Sequence, residues 1–170
     1  GLTIVLTYQD GKLAKAVTRG DGITGEVITS NARVFDNIPL QIPRKEEMVI
    51  RGEAVITYAD FEEINRTIGD ADAKYKNPRN LCSGTVRQLN NEITARRHVK
   101  FYAFSLAAGG DDCETRQEQL ELLKKQGFET VEYVKVTRET IADAVADFEQ
   151  KIADFPVPSD GLVLIYDDIA

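Results

Sequence analysis

Apolar and polar residues alternate at the start of the chain, which predicts a β-hairpin. Leu, Ile, Leu and Tyr occupy every second position of Leu2–Tyr8, the period of a half-buried strand. Asp10-Gly11 follows as a two-residue turn, and Lys12–Thr18 is the predicted return strand. An Asp-Gly pair tolerates the positive φ angles that match the twist of paired strands. Near the other end, the apolar run Gly161–Tyr166 is typical of a strand covered on both faces.

Between these segments, strand and helix patterns follow one another in irregular order. The predicted strands are Met48–Thr57, Val99–Leu106 and Glu132–Val136. The predicted helices are Thr24–Val34, Ala59–Ile68, a segment that follows the loop Gly69–Asn80 and ends at Leu89, Thr115–Gln126, and Arg138–Phe155. Thr57 with Asp60, and Thr137, are expected as N-terminal caps, and Gly127 as a helix stop. This irregular mixture indicates an α+β fold with mainly antiparallel sheets and packed helices.

Length and composition predict one globular domain. The chain has 170 residues, of which 42% are hydrophobic, enough for a core. Because it begins and ends close to strand edges, we expect a segment of a longer protein. Two cysteines and one histidine cannot form a disulfide framework or a histidine-rich metal site, which favours a reducing cytoplasm. No apolar run reaches the length of a membrane helix.

The charge is distributed unevenly. The formal net charge is −7, which argues against a domain that coats nucleic acid over its whole surface. The segment Lys74–Lys100 carries seven basic residues and one acidic residue, or +6, so the remainder carries −13. Two interpretations of this basic segment stay open: a phosphate-binding region, or a solvated loop that happens to be basic.

Several charged residues are candidates for a site. Arg19 adjoins the glycine-rich RGDG, a weak phosphate-loop signal that a plain turn explains equally well. Glu53 and Arg51 lie two positions apart inside an apolar strand, so they either form a structural pair or face a ligand cleft. Arg79 and Arg87 lie eight residues apart across a helical stretch, from which they could make forked contacts to phosphate oxygens.

The remaining candidates have simple structural alternatives. Asp160 precedes the last predicted strand, where it either forms a turn or reaches a metal or a reacting amine. Phe104 and Val163 either belong to the core or wall a pocket for a flat base. His98 is expected to be a surface or packing residue, because no partner of a catalytic triad is in view. Neither cysteine has the neighbours of an activated thiolate.

Six segments, in order, resemble the adenylation domain of bacterial NAD-dependent DNA ligases. They are TRGDGITGE at Thr18–Glu26, VIRGEAV at Val49–Val55, NPRNLCSGTVRQL at Asn77–Leu89, ITARR at Ile93–Arg97, FYAF at Phe101–Phe104, and DGLVLIYDDIA at Asp160–Ala170. The resemblance covers nearly the whole chain, and six ordered segments are far more specific than any one of them.

The resemblance implies a nucleotidyltransferase fold similar to that of ATP-grasp proteins, with NAD and Mg²⁺ as cofactors. In that family a lysine of a Lys-x-Asp-Gly motif attacks the α-phosphate of NAD, releases nicotinamide mononucleotide and holds AMP as a phosphoramidate. The AMP then passes to the 5′-phosphate at a nick in double-stranded DNA, and the 3′-hydroxyl displaces it. The implied setting is DNA replication and repair in the cytoplasm, with no membrane partner.

The resemblance also assigns roles to residues of this sequence. Arg19 would lie near the substrate phosphates, and Glu53 would bind the ribose hydroxyls. Phe104 would stack on adenine and Val163 would close the other face of the base. Asp160 would sit beside the reactive lysine and the metal. Arg79 and Arg87 would contact phosphates of nucleotide or DNA.

Two departures from the family pattern bear on activity. Gly1 aligns with the final glycine of Lys-x-Asp-Gly, so the nucleophilic lysine is absent from these residues and we expect the isolated chain to be inactive. Ile165 stands where the family has a second active-site lysine, and Ile152 stands near a usual arginine position. The alternative function is therefore a diverged module that binds nucleotide or nicked DNA without catalysis. A structural domain without a ligand is a third possibility.

Overall fold

The computed structural model describes residues 2–19, 25–68, 74–133 and 137–152. Within these ranges the chain forms four strands and six helices, which confirms the α+β class. In chain order they are β1 (Leu2–Gln9), β2 (Lys12–Arg19), α1 (Thr29–Ala32), β3 (Met48–Val55), α2 (Tyr58–Thr67), α3 (Pro78–Val86), α4 (Asn91–Arg96), β4 (Lys100–Ala108), α5 (Arg116–Lys125) and α6 (Ile141–Ile152). No helix in the described ranges has the length and apolar character needed to cross a membrane.

The four strands form one antiparallel sheet in the order β2-β1-β3-β4. The predicted hairpin is confirmed, with Asp10 at φ 52° and Gly11 at φ 77° between β1 and β2. These left-handed angles are those of the turn whose twist matches paired strands. β1 then pairs with β3 over Leu2–Tyr8, so the first strand of the chain lies inside the sheet.

The core lies against one face of this sheet. Alternate residues of each strand point into it, as the period of two requires, and Ile4, Leu6 and Ile50 are fully buried. The glycine at position 52 belongs to this face. A Cβ there would lie 2.3 Å from Cζ of Phe101 on the paired strand β4. Gly52 therefore leaves the space in which the Phe101 ring packs across β3.

Two predicted helix boundaries are confirmed by their capping contacts. The Thr57 hydroxyl accepts a hydrogen bond from the Asp60 amide at 3.1 Å and begins α2. The Thr115 hydroxyl accepts from the Glu118 amide at 3.1 Å and begins α5, which ends just before Gly127 at φ 103°. A glycine in this left-handed conformation is the usual residue after a helix terminus.

Three helix predictions need correction. α1 is much shorter than the predicted Thr24–Val34, because Ile28 donates its amide to Ala16 of β2 and the preceding residues lie along that strand. α3 begins at Pro78, inside the predicted loop, because the Asn77 side chain caps it and proline suits the first helical position. α3 ends at Val86, and the unpredicted helix α4 follows it.

Two further differences lie in the last part of the described chain. The predicted strand Glu132–Val136 is not formed at 132 and 133; only an isolated parallel bridge joins Ala103 and Thr130, and 134–136 lie outside the described residues. α6 begins at Ile141 rather than Arg138, since a turn with hydrogen bonds from Thr137 to Thr140 precedes it. The predicted strand Gly161–Tyr166 lies outside the described residues.

Candidate functional site

Four side chains form a row across the sheet on the face opposite the core. β1 pairs Thr3 with Arg19 of β2 and with Glu53 of β3, and β3 pairs Glu53 with Tyr102 of β4. Directly paired residues share a face, and none of the four belongs to the buried core. These four residues (Arg19, Thr3, Glu53 and Tyr102) are here called the row. Two predicted site residues, Arg19 and Glu53, lie one on each side of Thr3, about 10 Å apart by strand spacing.

The Glu53 carboxylate is held at this face by β1. Thr3 Oγ1 donates a hydrogen bond to Glu53 Oε1 at 2.5 Å, and both side chains are half-buried. A hydrogen bond from a hydroxyl to a carboxylate is stronger than one between neutral groups. It fixes the carboxylate orientation and occupies one of its two oxygens.

Arg51 shares this face with Glu53 but does not pair with it. Arg51 is exposed and lies opposite Val5 of β1 and Ser105 of β4. Within the described part of the chain, no carboxylate oxygen lies within 4.0 Å of its guanidinium. Of the two interpretations of these strand charges, the structural pair is therefore wrong. Among the described residues, this face therefore carries an exposed cation two positions from a carboxylate that is held by Thr3.

Phe104 lies on the same face through an irregularity of β4. The register between β3 and β4 shifts between Arg51 and Gly52, which leaves Phe104 between the residues that pair, Ala103 and Ser105. Such a bulge redirects a side chain at the rim of a sheet. Phe104 is half-buried and belongs neither to the core cluster nor to the apolar residues packed against it. Phe104 therefore lies outside the core that the described residues form, and its ring lies beside the row.

The two arginines predicted to contact phosphates mark the two ends of α3. Arg79 is exposed in the first turn, and Arg87 follows the last residue of the helix. Because they are eight positions apart, helix geometry separates them by about 12 Å along the axis and sets their directions about 80° apart around it. Both are therefore presented toward one side of α3.

The side chain of Arg87 already has two partners. Nε donates to Glu26 Oε2 at 2.9 Å, and one terminal nitrogen donates to Ser83 Oγ at 3.0 Å. The ion pair is exposed, with 44% of the Arg87 and 58% of the Glu26 side-chain surface accessible. An exposed pair of this kind contributes about 0–1 kcal/mol. A phosphate could therefore replace Glu26 at little cost.

The histidine and the buried cysteine serve structural purposes. His98 is exposed at φ 55°, and its Nδ1 lies 3.2 Å from Asp36 Oδ2. The exposure of His98 agrees with the expectation of a surface or packing residue. Cys82 is fully buried in α3, with Sγ 3.3 Å from the Ala54 carbonyl oxygen. Burial raises the pKa of the Cys82 thiol to about 12, so it is not an activated thiolate.

Several predicted site residues lie outside the described residues, namely Asp160, Val163 and Ile165; the side chain of Ile152 is also outside them. In the described ranges, no group of three His, Cys, Asp or Glu side chains could hold a metal ion.

Sequence reasoning missed Thr3 and Glu26. Thr3 lies on the polar face of the first strand. Its partner Glu53 is fifty residues away, so only the register between the strands reveals the pair. Glu26 ends the motif Thr18–Glu26, but its partner Arg87 lies 61 residues further along the chain, and no signal in the sequence points to the contact.

Comparison with known proteins extends the match to the whole chain. A family model described as the NAD-dependent DNA ligase adenylation domain matches residues 1–170. The chain is 59% identical to a DNA ligase of Lachnoclostridium phytofermentans and 56% identical to one of Ruminiclostridium cellulolyticum, each over 100% of this chain and 26% of the relative. A DNA ligase of Helicobacter hepaticus is 38% identical over 100% of this chain and 27% of the relative.

The chain thus spans about a quarter of the length of the curated relatives that it matches. The match of the family model over all 170 residues agrees with the ordered motifs and with the α+β architecture. The chain belongs to the NAD-dependent DNA ligase adenylation domain family.

Proposed function

We propose that this chain is the part of an NAD-dependent DNA ligase that binds the AMP portion of NAD, within a domain of nucleotidyltransferase fold. The observation that carries the proposal is the row across the sheet, in which Thr3 holds the Glu53 carboxylate between Arg19 and Tyr102. Family membership supplies the ligand. The described face carries one oriented acceptor, nearby cations and a half-buried aromatic ring.

Each predicted site residue has a role in this proposal. Glu53 accepts hydrogen bonds from the ribose hydroxyls, since a carboxylate accepts hydrogen bonds and donates none. Arg19, at the end of β2, neutralises substrate phosphate, and Phe104 stacks on adenine. Val163, which lies outside the described residues, closes the other face of the base. Arg79 and Arg87 contact phosphates of nucleotide or DNA.

The proposed chemistry, in the complete ligase, is nucleophilic catalysis by the lysine of a Lys-x-Asp-Gly motif. The 170 residues contain no Lys-x-Asp-Gly motif, so the isolated chain would not form the adenylated intermediate. In the complete ligase the lysine nitrogen bonds to the α-phosphorus of NAD, and the bond to nicotinamide mononucleotide breaks. AMP then passes to the 5′-phosphate of nicked DNA, and attack by the 3′-hydroxyl releases it. The proposed setting is replication and repair in the cytoplasm.

Asp160 is the one residue of this chain that we propose to lie beside a magnesium ion. Bound magnesium would stabilise charge on phosphorus oxygens. The described residues hold no group of ligands that fits a metal ion, so they contribute hydrogen bonds and positive charge instead.

The test is a hybrid ligase, in which residues 1–170 replace the matching segment of the Lachnoclostridium phytofermentans DNA ligase. We expect the hybrid ligase to gain the mass of one AMP from NAD and to seal nicked DNA. Glu53→Gln should raise the KM for NAD by about 10–100-fold, since a hydrogen bond to a charged group is worth about 1.5–3 kcal/mol. Glu62→Gln is the matched control, because Glu62 is exposed on α2.

The second candidate function, a binding module without catalysis, is favoured by Ile165 at the position of a family lysine. The same hybrid ligase separates the two. Nick sealing contradicts the binding module. Binding of AMP without adenylation, and no gain from Ile165→Lys, contradicts the proposed catalytic role. Loss of an active-site cation is expected to slow phosphoryl transfer by a large factor.

A further inference from the structure

Asn31 is a buried polar side chain that holds the end of α3. Only 5% of its surface is accessible. Its Nδ2 donates to the carbonyl oxygen of Val86 at 2.6 Å and to that of Gln88 at 2.9 Å. A buried amide with both donor hydrogens engaged is a fixed point of the structure.

A second buried residue fixes Asn31 in turn. Thr94 of α4 has its Oγ1 2.8 Å from Asn31 Oδ1 and 3.0 Å from the Thr85 carbonyl oxygen. The hydroxyl has one hydrogen to donate between these two acceptors. Thr94 is fully buried, so the contact is shielded from water. Asn31 and Thr94, here called the α3 clamp, thus connect α1 and α4 to the last turn of α3.

The α3 clamp acts on the two peptide groups next to Arg87. The last carbonyls of a helix lack partners within the helix and need them from elsewhere. Asn31 supplies one hydrogen bond on each side of Arg87, at residues 86 and 88. The backbone of Arg87 leaves the helix here, at φ −100° and ψ 7°. Asn31 thus holds the peptide group that precedes Arg87, through the Val86 carbonyl. The peptide group that follows Arg87 donates its Gln88 amide to the Thr85 carbonyl oxygen at 3.2 Å, the oxygen that Thr94 also contacts.

From this geometry we infer that Asn31 is a positioning residue for Arg87, and that it sets the direction from which Arg87 meets a DNA phosphate. The inference rests on the proposed function, which gives Arg87 its phosphate. Asn31 itself is buried and touches no ligand. A residue that only stabilised the fold would change DNA binding equally whether or not Arg87 is present.

A double-mutant cycle on the hybrid ligase tests this distinction. Asn31→Ala should raise the Kd for nicked duplex DNA at least about threefold in the presence of Arg87, and leave it unchanged within error in an Arg87→Ala background. Thr94→Val keeps the volume and removes the hydroxyl, and should show the same dependence on Arg87. If the Asn31→Ala variant fails to fold, Thr94→Val takes its place in the cycle. Asn91→Ala is the matched control, since the half-buried Asn91 also donates to a carbonyl, that of Ser30 at 3.2 Å, in a contact exposed to solvent.

The salt dependence gives a second measurement. Losing one phosphate contact reduces the magnitude of the negative slope of log K against log salt by about 1. We expect Arg87→Ala to show this loss, Asn31→Ala to show part of it, and Asn91→Ala to show none. Equal effects of Asn31→Ala with and without Arg87 overturn the inference alone. An Arg87→Ala variant that binds nicked DNA normally overturns the phosphate role of Arg87, and the inference with it.

Discussion

Substitution of Gly52 by alanine tests how closely β3 and β4 pack beside the proposed site. A Cβ at this position would lie 2.3 Å and 2.6 Å from two ring carbons of Phe101 and 2.6 Å from the carbonyl oxygen of Tyr102. The ring is fully buried, and the oxygen belongs to the paired strand, so neither can swing away. Overpacking typically costs about 1–3 kcal/mol, and the backbone contact places Gly52→Ala in the upper part of that range.

We expect Gly52→Ala to lower the free energy of unfolding by about 2–3 kcal/mol, which for a chain of this size lowers Tm by about 4–12 °C. Thermal unfolding of the 170-residue chain, followed by circular dichroism, measures the shift. Gly127→Ala is the control, since Gly127 is left-handed at φ 103° and its added Cβ would have no nearer neighbour than Pro39 at 3.9 Å. Gly127→Ala should lower the free energy of unfolding by about 1–2 kcal/mol through backbone strain alone.

Phe101→Leu separates the two causes of destabilisation, overpacking at position 52 and backbone strain at position 127. Its smaller side chain relieves the ring contact at position 52, so the double variant should be less destabilised than the sum of the two single variants. The same change should add independently to Gly127→Ala. The packing argument is refuted by a Gly52→Ala variant that melts within 2 °C of the parent chain, at about 2–4 °C per kcal/mol, or by additivity with Phe101→Leu.

Three further predictions concern single contacts. Thr3→Val should raise the KM of the hybrid ligase for NAD several-fold and leave kcat nearly unchanged, because Glu53 loses its anchoring hydrogen bond; an unchanged KM contradicts the role of Thr3. Glu26→Gln should tighten binding to nicked DNA about two- to fivefold, because Arg87 loses an acidic competitor worth at most about 1 kcal/mol; weaker binding in a filter assay contradicts this. Cys82, whose pKa burial raises to about 12, should stay protonated and unreactive toward a disulfide reagent at pH 8 until the chain unfolds; rapid labelling, with the other cysteine changed to serine, is the contrary result.

Local signals made the hairpin and the capped helices predictable. Asp10-Gly11 dictates its own backbone angles, and Thr57 and Thr115 cap helices through contacts three residues away. The start of α3 was also readable, since Asn77-Pro78 combines a capping side chain with a proline at the first helical position. The short helix α4 was missed because six residues give little periodicity to detect.

The arrangement of the site depends on contacts that sequence order does not reveal. Alternation showed that Glu53 and Arg51 share a face, but it could not show that Thr3 holds Glu53 or that the two charges stay apart. The bulge that leaves Phe104 unpaired is likewise set by the register between β3 and β4. Asn31 was missed because its partners lie at least 55 residues further along the chain.

The position of β1 inside the sheet has a consequence for how the protein folds. The β1–β2 hairpin closes through a two-residue turn and can form in about 1–10 μs. Pairing of Thr3 with Glu53 must instead close a loop of fifty residues, and such long-range pairing slows folding. Arg19 and Glu53 therefore lie in one row only after the slow step. An early intermediate would hold the hairpin without the nucleotide face, so a ligand bound across the row would select the fully folded chain and slow its unfolding.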